Sequence, residues 1–312
     1  MLRRGAVLAA VLLGCGLSGC ASLHTTDLST LPPMPKKASV AGVPFYPQKE
    51  KYCGPASLAM AVTWAGKPVT QDDVAALTFT PGRDGTFRTD IQTAAYRYGR
   101  LAVRLRNLQS VLKEVAAGRP VIVFQNLGLS IWHVWHYAVL VGYDLNHKEV
   151  ILNSGKDKNE ILGIKLFERT WNRADNWALA VLPPGMLPVD ARESDVLDAA
   201  AGLERVKSYK AAASAYRAIV GRWPMDWAAY FGLGNVRFAE KQFAAAEQAY
   251  RHALAIKPDE AGVWNNLAYA LARQGRKTDA IEAARRAVAA APDDKAAYKQ
   301  TLAELSGQTP PP

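Results

Sequence analysis

Cys53 is the side chain whose surroundings most plainly suggest chemistry. It lies in Gln48-Lys49-Glu50-Lys51-Tyr52-Cys53-Gly54-Pro55-Ala56-Ser57, just before the apolar, helix-forming run Leu58-Ala59-Met60-Ala61-Val62-Thr63-Trp64-Ala65, which stops at Gly66. A proline two residues after the cysteine suits the first turn of a helix, where its missing N–H costs no hydrogen bond. The thiol is therefore expected at a helix N-terminus, where unsatisfied N–H groups carry partial positive charge and favour the thiolate. The alternative is a buried structural cysteine. A base is available downstream: His136 opens the strand-like run Tyr137-Ala138-Val139-Leu140-Val141-Gly142-Tyr143-Asp144, and turn residues Asn146 to Lys148 lead to a second strand, Glu149-Val150-Ile151-Leu152, closing at Asn153-Ser154-Gly155. If Leu140 pairs with Asn153, the alternation of side chains puts His136 and Asn153 on one face. A flat hairpin would still hold them about 13 Å apart along the strand, at about 3.3 Å per residue, so a bend or bulge is required.

Glutamine, then Cys-Gly-Pro-Ala opening a helix, then histidine at a strand start, then asparagine closing the next strand: this order resembles the papain-like cysteine peptidases. In particular it is similar to the peptidases that process bacteriocin leaders after a double glycine. The resemblance runs over roughly residues 44 to 183 and includes Phe167-Glu168-Arg169-Thr170-Trp171 and a late strand from Trp177 to Leu182. It implies an α+β papain-like cysteine peptidase domain with Cys53 as nucleophile and His136 as general base and later acid. Asn153 would orient the imidazole, and Gln48 would donate to the oxyanion. The ligand implied is a peptide or protein substrate, with no metal and no organic cofactor. Many relatives place aspartate where Asn153 stands. The leader-processing enzymes are typically fused to a transporter, and this sequence has no G-x-x-x-x-G-K-[ST] loop, so a double-glycine leader is not the expected substrate. The same Cys-His pair would also serve acyl or amide transfer, and the fold without catalysis would serve as a peptide-binding scaffold.

His133 and His136 spell H-x-x-H, but an offset of three places them on opposite faces of a strand, and no acidic or cysteine ligands accompany them. Zinc is not expected. Trp132 and Trp135 beside them either line a substrate groove or pack its rim.

The remaining cysteines belong to the N-terminus. Arg3 and Arg4 precede an apolar stretch, Ala6 to Leu17, too short to span a bilayer as a helix, which reads as a secretory signal. It ends in Leu17-Ser18-Gly19-Cys20, which resembles the lipobox of bacterial lipoproteins. Residues 1–19 are thus expected to be removed and Cys20 to be lipidated as the mature N-terminus, which attaches the chain to a membrane with its folded part in the periplasm. Alanine at position 21 fits the family's rule for sorting to the outer membrane. Residues 20–41, with Pro32, Pro33 and Pro35, read as a tether that cannot bury enough apolar surface to fold alone. Cys15 leaves with the signal, so Cys53 remains as the free thiol in an oxidising compartment.

Pro224, Pro258 and Pro292 recur every 34 residues, the period of the tetratricopeptide repeat. The middle repeat has Tyr230, Leu233, Gly234, Ala246, Tyr250 and Ala253 at signature positions, and the last has Trp264, Leu267, Ala268, Gly275, Ala280 and Ala287. The first keeps Leu203, Ala212 and Tyr216 but lacks the early aromatic, as a degenerate terminal repeat would. The expected organisation is a peptidase domain over residues 42–188 and an all-α tetratricopeptide-repeat domain over 190–307, whose stack would dock a protein substrate or partner. The net charge of +10 is spread without Lys/Arg runs among aromatics, so no nucleic-acid partner is expected, while anionic envelope surfaces would attract it.

Overall fold

The computed structural model describes residues 25–80, 82, 85–129, 132–291 and 295–307. The signal segment, Cys20 and Pro292 lie outside the described residues. A short 3-10 turn (Leu28–Thr30) and strand β1 (Lys37–Ser39) lead to helix α1 (Cys53–Trp64). Next come α2 (Gln71–Thr78), the short paired strands β2 (Phe79–Thr80) and β3 (Gly85–Thr86), α3 (Arg88–Arg97), β4 (Leu101–Leu105) and α4 (Leu108–Ala116). The domain closes with β5 (Val121–Asn126), β6 (Trp135–Asp144), β7 (Glu149–Ser154), β8 (Asp157–Gly163), α5 (Ile164–Asn172) and β9 (Ala178–Leu182).

One antiparallel sheet runs in the order β4-β9-β5-β6-β7-β8, and β1 adds to β6 beyond the end of β5. Alternation along the central strands divides the core. Ile122, Phe124, Tyr137, Val139 and Val141 face α1, and Val121, Val123, Ala138 and Leu140 face α4 and α5. Helix α1 is apolar all round because it is enclosed all round, with every residue from Gly54 to Val62 buried. Its first residue, Cys53, is half-buried, as are Thr63 and Trp64 at its other end.

The tether expected over residues 20–41 is corrected for its described part. From Thr25 on, the segment is laid onto the domain: Leu28, Leu31, Met34, Ala38 and Val40 pack against the α4–α5 side of the core. Tyr143 donates its hydroxyl to the Pro35 carbonyl (2.9 Å), and the Leu145 N–H donates to the Lys36 carbonyl (2.7 Å). The segment folds because the domain supplies the apolar surface that it lacks by itself.

Among the described residues seven helices follow: α6 (Glu193–Arg205), α7 (Tyr209–Arg222), α8 (Trp227–Ala239), α9 (Phe243–Ile256), α10 (Ala261–Arg273), α11 (Lys277–Ala290) and α12 (Ala296–Ser306). The first six pair as repeats and α12 covers the last pair. Small residues let paired helices approach: a Cβ on Gly234 would stand 2.3 Å from the Tyr250 ring. The two domains are not separate bodies on a linker. Val196, Ala199, Ala200 and Leu203 of α6 join the core that holds Tyr96, Leu101 and Val103. Gly202 lets the Tyr96 ring lie against the helix, where a Cβ would come within 2.4 Å of it. Tyr96 is held by its own bond to the Ala102 carbonyl (3.1 Å), so it does not yield freely. Gly202→Ala is expected to cost about 1–3 kcal/mol by overpacking, read as a lower midpoint in denaturant unfolding of the whole chain.

Candidate active site

A cleft of about 570 Å³ opens at the N-terminus of α1, lined by Gln48, Lys51, Cys53, Gly85, Thr86, Phe87, Arg88, Phe124, Trp135, His136 and Tyr137. Cys53 is the first residue of α1, as Pro55 in the first turn implies. Its sulfur lies against the backbone N–H groups of Tyr137, Gly54 and Cys53 itself. The thiol is therefore adjacent to the backbone of the residue that follows His136. Gln48 is fixed by its N–H, which donates to the Gly155 carbonyl (2.9 Å), and its side-chain Oε1 is buried without a partner. Thr86 Oγ1, beside Gly54, is likewise buried and unpartnered. Two unsatisfied polar atoms at a cleft wall are an invitation to a polar ligand, since leaving them unpaired costs free energy.

The hairpin that carries the histidine differs from expectation in register. Leu140 stands opposite Leu152, not Asn153; Val139 faces Asn153 and Ala138 faces Ser154, and a bulge at Val141 shifts the pairing beyond. A one-residue slip exchanges the faces of a strand. Ser154 consequently shares the face of Ala138 and His136, and its Oγ lies 3.0 Å from His136 Nε2. Asn153 is turned to the other face, where its Oδ1 accepts the N–H of Asn159 (3.2 Å). The expectation that Asn153 orients the ring is thus corrected: the side chain at the imidazole is Ser154. With Nε2 donating to the serine, Nδ1 is left as the acceptor for a thiol proton. The described residues show no hydrogen bond between the Cys53 sulfur and the ring, so the structure brings the two to one cleft wall without joining them.

Burial sets the charge state of the pair. Desolvation pushes the Cys53 thiol up from its ordinary value, against the three backbone N–H groups that pull it down. Desolvation also pushes the His136 imidazole down, opposed by the Glu160 carboxylate. Both effects favour a neutral thiol beside a neutral imidazole. The thiolate expected from the helix terminus alone is corrected accordingly: the helix end is real, but enclosure outweighs it.

Aromatic rings form the floor. Phe124 stacks with Trp135 (5.2 Å between centroids) and lies 4.4 Å from Tyr137, whose hydroxyl donates to the Thr86 carbonyl (3.2 Å). The Arg88 guanidinium sits 5.6 Å over Phe124 and pairs with Asp175 at 3.1 Å. Trp135 thus lines the cleft as one of the two readings held, whereas Trp132 is not among its lining residues. His133 stacks on Trp135 at 4.9 Å, away from the His136–Ser154 pair. Sequence reasoning missed Ser154, Thr86 and Arg88. Ser154 lies one residue from the position expected, and the local signal for the bulge that selects it is Gly142, a glycine inside the strand at the register shift.

Ser154→Ala is expected to free the ring and lower turnover by about ten- to a hundredfold, the scale of a misplaced catalytic group. KM should change little. Asn153→Ala, acting on the far face, should leave turnover near that of the parent protein, and steady-state kinetics on both variants separates the two residues.

Residues 40–179 match the Peptidase_C39 like family, and residues 197–261 and 237–305 match two tetratricopeptide repeat families. Among solved structures, the chain is similar to a Bacillus anthracis protein described as a C39-like peptidase, at 21% identity over 47% of this chain and 97% of that one, with a TM-score of 0.39. It is similar to MamA at 19% identity, over 37% of this chain and 67% of that one, with a TM-score of 0.35. It is also similar to the Yersinia enterocolitica type III secretion chaperone SycD, solved with a peptide of the translocator YopD, at 17% identity over 36% of this chain and 91% of that one, TM-score 0.35. No curated protein matches the sequence.

Proposed function

We propose, from a chain whose residues 40–179 form a C39-like peptidase domain and whose C-terminal helices are tetratricopeptide repeats, that it is a cysteine peptidase of the bacterial periplasm, lipid-anchored through Cys20. The observation that carries this reading is the single cleft that holds Cys53 at a helix N-terminus together with His136 and Gln48. His136 Nδ1 takes the thiol proton as the sulfur attacks a substrate amide carbonyl, the contact closing when substrate fills the cleft. The Gln48 amide and the orphan N–H groups at the start of α1 donate to the oxyanion. The C–N bond then breaks, the imidazolium passes its proton to the leaving amine, and a thioester remains on Cys53. Water, giving a proton to His136, attacks the thioester and releases a carboxylic acid and the thiol. Ser154 holds the ring by Nε2 throughout.

The walls favour a particular peptide. Phe87, Phe124 and Trp135 offer apolar surface, and the described residues that line the cleft include no carboxylate. A segment with apolar side chains around the scissile bond fits that lining. The repeats, packed directly on the domain through α6, would hold a protein substrate or partner beside it. Anchoring rests on the lipobox-like Leu17-Ser18-Gly19-Cys20; no helix among the described residues is long and apolar enough to cross a membrane.

The test is digestion of an envelope-protein peptide mixture, with new termini identified by mass spectrometry in the presence of a competing amine. Free carboxyl ends that vanish with Cys53→Ala support hydrolysis. Amine conjugates in their place would assign the chain to acyl transfer, and no new termini at all would count against both.

A further inference from the structure

The described residues of the turn between β5 and β6 leave apolar side chains in water. From Leu127 to Trp135 the sequence contains no Asp, Glu, Lys or Arg. Leu129 is 65% exposed and Trp132 75%, with Leu127, Val134 and Trp135 about half exposed. Contiguous exposed apolar surface of this kind marks an interaction site. Its backbone is well supported. Asn126 Oδ1 accepts the N–H groups of Gly128 (3.0 Å) and Val134 (2.9 Å), and the Leu127 N–H donates to the Val134 carbonyl (2.8 Å). The fold thus presents these side chains outward on a framed turn.

The other end of the chain converges on the same place. The Thr26 N–H donates to both Glu168 oxygens at 3.0 Å. Two residues further along α5, Thr170 accepts from Gln125 Nε2 (2.6 Å), and just past the helix Arg173 donates to the Asn126 carbonyl at 3.0 and 3.2 Å. Thr26 is therefore separated from the base of the turn by about 8 Å of helix. Cys20 lies six residues before Thr26, a reach of at most about 20 Å. The outer face of α5 between them exposes Lys165, Leu166 and Arg169, and its carboxylate, Glu168, is buried. The exposed apolar residues, the cationic helix face and Thr26, six residues after Cys20 in sequence, lie at one end of the domain. That combination fits an anionic phospholipid surface, where apolar burial and attraction to headgroups act together.

We infer that the β5–β6 turn is a membrane-docking element: Leu129 and Trp132 enter the apolar layer of the bilayer that holds the Cys20 lipid, Lys165 and Arg169 meet anionic headgroups, and the Cys53 cleft opens at the membrane surface. The inference rests on the lipid-anchored reading above. Its consequence is that the enzyme works on chains near the membrane, because Trp135 and Phe124 belong both to the base of the turn and to the cleft floor.

The test uses the mature protein on vesicles of phosphatidylethanolamine and phosphatidylglycerol whose acyl chains carry bromine, a short-range quencher of tryptophan fluorescence. Quenching in the parent protein that is lost in Trp132→Phe, and lost in Leu129→Asp with the tryptophan still present, is the expected result; circular dichroism establishes that both variants fold. Equal quenching in the parent protein and Trp132→Phe would overturn the inference and leave the turn to a substrate or a protein partner. The mass of the N-terminal peptide reads the anchor independently. A lipidated protein whose Trp132 is not quenched sinks docking and spares anchoring, and an unlipidated protein whose Trp132 is quenched does the reverse.

Discussion

On the proposed reading, Cys53→Ala is expected to reduce peptide hydrolysis to the uncatalysed background, and His136→Ala to lower kcat/KM by about 10² to 10⁴-fold, the range that a positioned general base contributes. The two losses differ in kind. Without the sulfur there is no acyl-enzyme. Without the imidazole the thiol must ionise unaided in a site whose burial opposes ionisation. Because the ring is held neutral, its charging on the acid side of the rate profile falls below the ordinary imidazole value, near 6.5. Glu160→Gln takes away the carboxylate that opposes this shift, so the acid limb should move lower still. A profile of kcat/KM against pH for the parent protein and Glu160→Gln checks both signs.

Trp171→Ala is the second large effect, and it is one of stability. The side chain is 2% exposed, stacks on Phe167 at 5.4 Å between centroids, and donates Nε1–H to the Trp177 carbonyl at 2.8 Å. Truncation leaves a cavity and removes one of the two hydrogen bonds that the Trp177 carbonyl accepts, the other coming from the Phe124 N–H, at a cost of about 3–5 kcal/mol. That is a large share of the roughly 5–15 kcal/mol by which domains are stable. The damage would spread, because α5 and the residue that caps it hold three other parts in place: Thr26 through Glu168, Gln125 through Thr170 and Asn126 through Arg173. Trp171→Phe should cost less, keeping the stack and losing the hydrogen bond. Denaturant unfolding of the two variants separates packing from hydrogen bonding.

How far the sequence carries can be seen at particular residues. Helix α1 was legible because Pro55, the unbroken apolar run and Gly66 are local signals acting within a few turns. The repeats were legible because a 34-residue period restates the same packing problem in each helix pair. Gln48, Cys53 and His136 came to one cleft for the same reason: each sits at an element end that its neighbours mark. Asn153 failed where tertiary pairing decides. The bulge at Val141 moves the register by one residue and hands the ring to Ser154. The direction of the Cys53 shift failed similarly, since a helix terminus can be read from sequence but the burial that outweighs it comes from the sheet and from β3. Residues 20–41 read as a tether because the stretch is polar and Pro-rich, with Pro32, Pro33 and Pro35, and carries too little apolar surface to fold alone. The part described, from Thr25 on, is ordered by a surface distant in sequence, which includes Tyr143, 108 residues from Pro35.

The most direct measurement is the alkylation rate of Cys53 against pH, in the parent protein and in His136→Ala. If the pair works as proposed, the parent thiol reacts at neutral pH through proton transfer to the ring. The variant should then be slower there by about tenfold or more, and the two curves should meet in the alkaline range, above the ordinary thiol value, where the sulfur ionises without help. Two curves that superimpose at every pH would contradict it, leaving Cys53 as a buried thiol in a fold that grips peptides without cutting them.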